Sequence, residues 1–266
     1  GYRLDVVVHH DSQLDWLAQT PLITPLDVWL KLDTGMHRLG FEPGRVDEIA
    51  ARLNAIPQVN AVRYMTHFSC ADDLESSDKS EQIELFNTAV AKKDGERSLA
   101  NSAGLLGWPA ARADWVRPGI MLYGSSPLAG RSAESLELQP VMTLTTRLIA
   151  VNMRKQGDAI GYGGDYRCQQ DMPIGVAALG YGDGYPRHAS SGTPVLVNGQ
   201  RAMIAGRVSM DMICIDLRAC PDAQVGAEVT LWGDGLPIDE VAAAAGTIAY
   251  ELLCGVGSRV QFDYSA

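Results

Sequence analysis

The loop Gly180–Gly184 holds Tyr181 among three glycines. Glycine lets a backbone approach its neighbours closely and leaves the phenol without bulky cover, which a tyrosine buried in a core would not require. The pattern favours an unshielded phenol on a loop whose backbone approaches another part of the protein or a ligand closely. The alternative is an ordinary glycine-rich loop.

A second group of reactive side chains lies within Lys31–Gly40, where a lysine ends an apolar run and a glycine turn leads to Arg38. A lysine at a position fit for burial is unfavourable unless it is paired or chemically changed. One interpretation is a functional lysine, and the other is a simple contact with Asp33 or solvent. Spacing alone favours neither.

Further candidates fall where other apolar runs end. His67 follows such a run, although a single histidine is more typical of a structural role. Asn101-Ser102 and Arg117–Ile120 offer hydroxyl, amide and backbone N–H donors. Junctions of this kind bind phosphate at the rim of α/β barrels, but ordinary turns have the same composition.

Short strands that alternate with helices must position these side chains. The strands are predicted at 6–9, 28–33, 61–67, 97–101 and 115–117. The helices are predicted through Val46, Ile49 and Leu53, and through Ile83, Phe86 and Val90 after the start signal Asp78-x-x-Glu81. This rhythm predicts an α/β domain over 1–137 that is a partial (β/α) TIM-type barrel, with about five of the eight βα units.

From residue 138 the rhythm changes to short β-type runs, which predict a mostly β C-terminal domain over 138–266. The runs lie at 143–151, 194–197, 202–208, 212–217 and 228–232. Asn198-Gly199 is a strong two-residue hairpin signal. One helix is predicted through Ile238, Val241, Ala242 and Ala245.

The composition narrows the class of protein. The net charge of -10 argues against nucleic-acid or anionic membrane partners, because both bind to clusters of Lys and Arg. No apolar run is long enough to span a membrane, and no signal-peptide pattern is visible. The five cysteines lack a C-x-x-C pair, which predicts reduced, buried thiols in a cytoplasmic protein without a metal site. A disulfide or zinc site is the alternative.

Together the segments resemble the alanine racemase family, in order and spacing, from about Asp5 to Val260. The matching motifs are Lys31–Gly40, 66–68, Asn101-Ser102, 115–120, 180–187, 206–211 and 250–252. The resemblance implies interconversion of L-alanine and D-alanine by two-base proton transfer on a pyridoxal phosphate aldimine. It also implies a homodimer, in which a barrel holds the cofactor and the β domain of a second subunit closes the site.

The resemblance assigns the proton-handling roles. Tyr181 matches one of the two bases, and His67 and Arg117 match the pair that supports it electrostatically. Arg117 also matches the residue that faces the pyridine nitrogen. Because arginine does not readily give up a proton, that nitrogen is expected to stay unprotonated, which weakens the electron sink and favours racemisation over transamination.

The resemblance also implies the binding residues. Arg38 matches the contact to the substrate carboxylate and to the cofactor, and Met210 matches a backbone contact to that carboxylate. Lys31 matches a position that is carboxylated in some members and braces Arg38. The implied cofactor contacts are Arg38, Asn101, Ser102, Arg117, Gly119, Ile120 and Tyr250.

The second base of the family is the lysine that carries the cofactor, in a segment resembling Lys-Ala-Asn-Ala-Tyr-Gly. No such segment occurs in the 266 residues. The lysines present are Lys31, Lys79, Lys92, Lys93 and Lys155, and none stands in a matching context. We therefore expect the sequence to lack an N-terminal segment of about three βα units that holds this lysine.

Two alternatives to an alanine racemase stay open at this point. One is a broad-spectrum or serine-type amino-acid racemase of the same fold. The other is a non-catalytic protein that binds pyridoxal phosphate and has lost its lysine. For a racemase, the expected role is D-alanine supply for peptidoglycan or D-alanine catabolism.

Overall fold

The computed structural model describes residues 4–75 and 78–264, and the side chains of Asp78 and Lys79 lie outside the description. The predicted helix start signal at Asp78 therefore falls outside the described side chains. The chain forms two compact units. The first extends to Met121 and includes Pro127–Arg131, and the second comprises Leu122–Ser126 and the chain from Ser132 onward.

The first unit is built on a five-stranded parallel sheet with the strands in sequence order. The strands are β1 (Val6–Val8), β2 (Leu26–Lys31), β3 (Val59–Met65), β4 (Arg97–Asn101) and β5 (Trp115–Arg117). The helices are α1 (Asp11–Gln19), α2 (Val46–Asn54), α3 (Asp78–Ala89) and α4 (Ser102–Gly107). The five predicted strands are confirmed, and both predicted helices form.

The side chains on the two faces of strand β2 differ in burial. Val28 and Leu30 are fully buried on one face. Because side chains alternate along a strand, Asp27, Trp29 and Lys31 lie on the opposite face. The parallel sheet thus reserves one face for the core and presents Lys31 on the other.

The second unit contains a closed antiparallel barrel in the order β10-β11-β12-β9-β6-β13. The strands of this unit are β6 (Leu144–Arg154), β7 (Ala159–Ile160), β8 (Tyr166–Arg167), β9 (Met172–Ala177), β10 (Pro194–Val197), β11 (Gln200–Ile204), β12 (Ile213–Asp216) and β13 (Glu228–Trp232). Strands β7 and β8 pair only with each other. The helices are α5 (Ile238–Ala245) and α6 (Ala249–Gly255).

Local signals predicted parts of this barrel well. Asn198 and Gly199 adopt φ values of 48° and 77°, which are the left-handed values of the predicted two-residue hairpin between β10 and β11. The run predicted at 202–208 ends at Ile204 instead. Strand β9 was not predicted, since it contains Pro173 and Gly175, which commonly interrupt strands.

All five cysteines are free thiols. Cys168 and Cys220 are buried, and Cys70 and Cys214 are partly buried. Cys254 is exposed, so the prediction of buried thiols is wrong there, because the last turn of α6 faces solvent at this residue. Within residues 4–75 and 78–264, no helix is long and apolar enough to cross a membrane.

Candidate active site

A tight turn follows β2 and fixes the surroundings of Lys31. The Phe41 N–H donates to the Lys31 carbonyl, and the Asp33 N–H donates to the Phe41 carbonyl, both at 2.9 Å. Asp33 Oδ1 accepts hydrogen bonds from the N–H groups of Gly35 (3.1 Å) and His37 (2.9 Å). The Asp33 carboxylate therefore shapes the turn.

The Lys31 amine lies in an electropositive environment. Burial, followed by the charges of Arg117 and Arg38, lowers the pKa of the amine below its usual value, and Asp33 offsets only part of this effect. A half-buried ammonium beside two guanidinium groups is less stable than one in water, so the surroundings of Lys31 disfavour its charged form. Arg38 lies in the exposed part of the turn.

Arg117, at the end of β5, ties the ends of the central strands together. Its Nη1 donates to Ser98 Oγ at 2.5 Å, and its Nη2 donates to the carbonyls of Thr66 (2.8 Å) and Leu99 (3.2 Å). The same Nη2 lies 3.4 Å from His67 Nδ1. Because a guanidinium has no acceptor, His67 Nδ1 must accept in this contact.

His67 is held in its neutral form. Burial lowers its pKa to about 4, with further contributions from the charges of Arg117, Lys31 and Arg38. With Nδ1 accepting from Arg117, the ring proton is on Nε2. His67 can thus donate one hydrogen bond from the nitrogen that faces away from Arg117.

The junctions after β4 and β5 bring a hydroxyl and backbone N–H groups together in a cradle formed by Ser102 and residues 119–121. Ser102 Oγ accepts from the Gly119 N–H at 2.7 Å and from the Met121 N–H at 3.5 Å. Asn101 caps α4, since its Oδ1 accepts from the Gly104 N–H at 2.9 Å. The serine hydroxyl and the Gly119 backbone are thereby held side by side.

The cradle fits the phosphate of pyridoxal phosphate. An added Cβ at Gly119 would meet nothing nearer than Ser102 Oγ at 3.8 Å, so the absence of a side chain leaves an opening beside that hydroxyl. Ile120, the next residue, is buried. A hydroxyl and backbone N–H groups are donors suited to a phosphate, and Arg117 suits an unprotonated pyridine nitrogen.

The glycines around Tyr181 are explained by close backbone contacts within the second unit. The Tyr181 N–H donates to the Ser209 carbonyl at 3.0 Å, and the Gly182 N–H donates to the Met210 carbonyl at 2.8 Å. An added Cβ at Gly180 would lie 2.5 Å from the Met210 oxygen. The loop needs its glycines to lie on residues 209 and 210, and it leaves Tyr181 39% exposed.

Met210 and Tyr250 are the remaining predicted site residues in the second unit. Met210 is 54% exposed and belongs to a turn in which the Ser209 N–H donates to the Met212 carbonyl at 3.0 Å. Tyr250 is half-exposed on α6. The structure thus holds the loop of Tyr181 on the turn of Met210 through backbone hydrogen bonds, and the first unit separately gathers Lys31, His67 and Arg117.

Sequence reasoning missed two residues that organise these groups. Ser98, which accepts from Arg117, is a buried polar residue on an apolar strand, and this contrast was a usable signal. Arg259 forms ion pairs with Asp183 at 2.9 Å and with Asp211 at 2.8 Å. No motif surrounds Arg259 in the sequence, so only the fold reveals it.

Both units match known protein families. The model described as "Alanine racemase, N-terminal domain" matches residues 1–127, and the one described as "Alanine racemase, C-terminal domain" matches residues 141–264. The two domains together define the class of protein, which is a pyridoxal-phosphate-dependent isomerase with an N-terminal α/β barrel-like domain and a C-terminal β domain.

Individual relatives agree with the family models. The chain is 57% identical over 259 residues to the alanine racemase of Thioalkalivibrio sulfidiphilus, covering 97% of this chain and 72% of the relative. It is 54% identical to the alanine racemase of Vibrio cholerae, covering 98% and 73%. The crystal structure of the biosynthetic alanine racemase from Pseudomonas aeruginosa superposes with a TM-score of 0.96 at 49% identity, covering 99% and 74%.

The chain belongs to the alanine racemase family. Its reaction is the interconversion of L-alanine and D-alanine, and its cofactor is pyridoxal 5'-phosphate.

Proposed function

We propose that Tyr181 is one of the two acid-base groups that move the α-proton of alanine. The observation that carries this proposal is the Gly180–Gly184 loop, whose backbone is fixed on residues 209 and 210 while its phenol stays 39% exposed. A group that transfers a proton must be held in place and must also reach its substrate. The loop meets both requirements.

His67 and Arg117 support that tyrosine from the cofactor-binding part of the site. Arg117 occupies His67 Nδ1, which leaves the Nε2–H to donate to the phenolic oxygen of the partner subunit's Tyr181 in the proposed dimer. A neutral histidine whose pKa is near 4 does not compete for the transferred proton near neutral pH. The pair therefore holds the acid-base oxygen in place and leaves proton transfer to the tyrosine.

Arg38 and Met210 bind the alanine carboxylate, Arg38 through its guanidinium and Met210 through its backbone. Arg38 also contacts the cofactor. Lys31, carboxylated on its amine, becomes an anion that braces Arg38. The anion would replace an amine whose pKa is lowered by burial and by the charges of Arg117 and Arg38.

Asn101, Ser102, Gly119, Ile120 and Tyr250 would hold the cofactor phosphate, and Arg117 would face its ring nitrogen. When bound, pyridoxal phosphate supplies the electron-withdrawing group that makes the α C–H bond of alanine acidic enough to break. The short Ser102–Gly119 contact and the opening beside Gly119 support this assignment.

The five-stranded sheet is part of an eight-stranded (β/α) barrel. Outer strands β1 and β5 expose Val7, Trp115 and Val116, which are apolar side chains of the kind that neighbouring strands cover. In this proposal residues 1–137 form the barrel domain that binds the cofactor. Residues 138–266 form the β domain that contributes the tyrosine and substrate contacts.

The lysine that carries the cofactor lies on a segment outside these 266 residues. Among the described lysine side chains, Lys155 pairs with Asp171 at 2.7 Å, Lys93 pairs with Asp47, and Lys92 is exposed. Lys31 has the bracing role proposed above. The chain spans 72% to 74% of the length of its relatives, which is compatible with a further segment.

The complete enzyme acts as a homodimer in the cytoplasm, where D-alanine supports peptidoglycan synthesis. In the dimer, Tyr181 and Met210 of one subunit close the cofactor site of the other. Their exposure of 39% and 54% in the single chain supports a role at such a surface.

Replacing Tyr181 tests the proposed role of the phenol. Tyr181→Phe keeps the ring and removes the hydroxyl, so we expect kcat for alanine racemisation to fall by roughly 10²- to 10⁴-fold in the holoenzyme. The matched control is Tyr264→Phe, at a tyrosine that is 91% exposed. Wild-type turnover in Tyr181→Phe, measured by chiral chromatography of the product, would remove Tyr181 from the mechanism.

A further inference from the structure

Arg259 joins the two segments of the second unit that carry proposed site residues. Its Nε donates to Asp183 Oδ1 at 3.1 Å, within the loop of Tyr181. Its Nη2 donates to Asp211 Oδ1 at 2.8 Å, in the residue that follows Met210. One guanidinium thus spans the loop of the proposed base and the turn of the proposed substrate contact.

Asp183 is itself central to the loop. Its Oδ2 accepts from the Gly180 N–H at 2.9 Å, and its carbonyl accepts from the Gly257 N–H at 2.7 Å. The carboxylate therefore closes the loop around Tyr181 with one oxygen and binds Arg259 with the other. Movement of Arg259 would be transmitted directly to the residues on both sides of Tyr181.

The packing around Arg259 is close. An added Cβ at Gly182 would lie 2.7 Å from Arg259 Nη2, so the guanidinium occupies the space beside the residue that follows Tyr181. Gly182 has no side chain that would occupy this space. The loop of Tyr181 and Arg259 are thus packed tightly against each other.

Charge gives Arg259 a second effect. Without the guanidinium, Asp183 and Asp211 would leave two unpaired carboxylates beside the surface that receives the alanine carboxylate. Like charges repel, and the repulsion is less screened at Asp183, which is 16% exposed, than at Asp211, which is 55% exposed. Arg259 therefore removes an electrostatic obstacle to the substrate.

We propose that Arg259 is a positioning residue for racemisation, which fixes Tyr181 relative to Met210 by binding Asp183 and Asp211 together. This inference rests on the proposed role of Tyr181 as an acid-base group. Proton transfer depends steeply on the distance between donor and acceptor. A loop free to shift would therefore slow the step performed by the tyrosine.

The test compares Arg259→Met and Arg259→Lys with Arg201→Met in the holoenzyme. Arg201 is a suitable control, because it also forms an exposed ion pair in the second unit, with Glu240. Steady-state kinetics with L-alanine and D-alanine give kcat and KM, and α-deuterated forms of both give primary isotope effects. Circular dichroism and cofactor absorbance show whether each variant is folded and loaded.

We expect kcat to fall by roughly 10- to 100-fold in Arg259→Met, and by less in Arg259→Lys, which retains the charge but loses the fork. KM for alanine rises. The isotope effect increases for only one enantiomer, the one whose α-proton the tyrosine removes, because that transfer becomes more rate-limiting. Arg201→Met behaves as wild type.

A merely structural role predicts a different pattern. Loss of folded enzyme lowers kcat but leaves both isotope effects unchanged, and this result would overturn the proposal. If Arg259→Met does not fold, Arg259→Lys decides by the same criterion. If Tyr181→Phe abolishes turnover while both Arg259 variants match wild type, only this inference fails. If Tyr181→Phe retains wild-type turnover, the proposed acid-base role of Tyr181 fails, whatever the Arg259 variants show.

Discussion

At the scale of single residues, side-chain chemistry was easier to predict than side-chain partners. The sequence indicates that a charged Lys31 is unfavourable at its position on an apolar strand, and the lowered pKa of its amine agrees with this indication. The contact between Arg117 and His67 joins the ends of β5 and β3, which the fold places on either side of β4. The role of Arg259 could not be predicted for the same reason, because the two carboxylates that it binds are 76 and 48 residues away in the sequence.

The pKa of His67 makes a prediction about stability. Burial and neighbouring cations lower the pKa of His67 from 6.5 to about 4. Between these two pH values, His67 therefore binds a proton more readily in the unfolded chain than in the folded chain. The stability contributed by neutral His67 is thus present above pH 6.5 and is lost as pH falls toward 4.

Urea denaturation across this pH range measures that loss. We expect the unfolding free energy of His67→Gln to fall less steeply on acidification than that of wild type. The control is His188→Gln, at an exposed histidine, which should retain the wild-type slope. An unchanged slope in His67→Gln would show that His67 is not held neutral by its surroundings.

At the scale of elements, periodicity predicted the βα rhythm because each strand and helix buries a regular apolar face. Helix α2 buries Val46, Ile49 and Leu53, the residues whose spacing predicted it. Short elements lack such a signal. Helices α4 and α6 have six and seven residues, so tertiary packing determines them more than their own sequence does.

The glycine-rich loop gives a prediction at this scale. In Gly180→Ala the new Cβ would press on the backbone carbonyls of Ser209 and Met210, which cannot rotate away as a side chain can. We expect a loss of roughly 1–3 kcal/mol in unfolding free energy, together with lower turnover as the loop shifts.

Gly44→Ala is the matched control, because a Cβ there would have nothing within 4 Å. Thermal or urea denaturation of both variants measures the difference. Equal stability of Gly180→Ala and Gly44→Ala would mean that the loop does not lie on residues 209 and 210 as described.

At the scale of the whole molecule, the sequence predicted two kinds of architecture, and the structure contains both. The first unit is a parallel sheet with helices, and the second contains a closed six-stranded barrel. The order of the barrel strands could not be predicted, because it arises from pairings between distant segments such as β6 with β13.

The most direct test of the account is a heterodimer in which one subunit carries Arg38→Ala and the other Tyr181→Phe, isolated from co-expressed chains with two different affinity tags. Each homodimeric variant should be nearly inactive. If Tyr181 serves the partner's cofactor site, the heterodimer has one site free of both substitutions, and it should show about half of the wild-type alanine racemisation rate. A heterodimer as inactive as either parent would contradict the account.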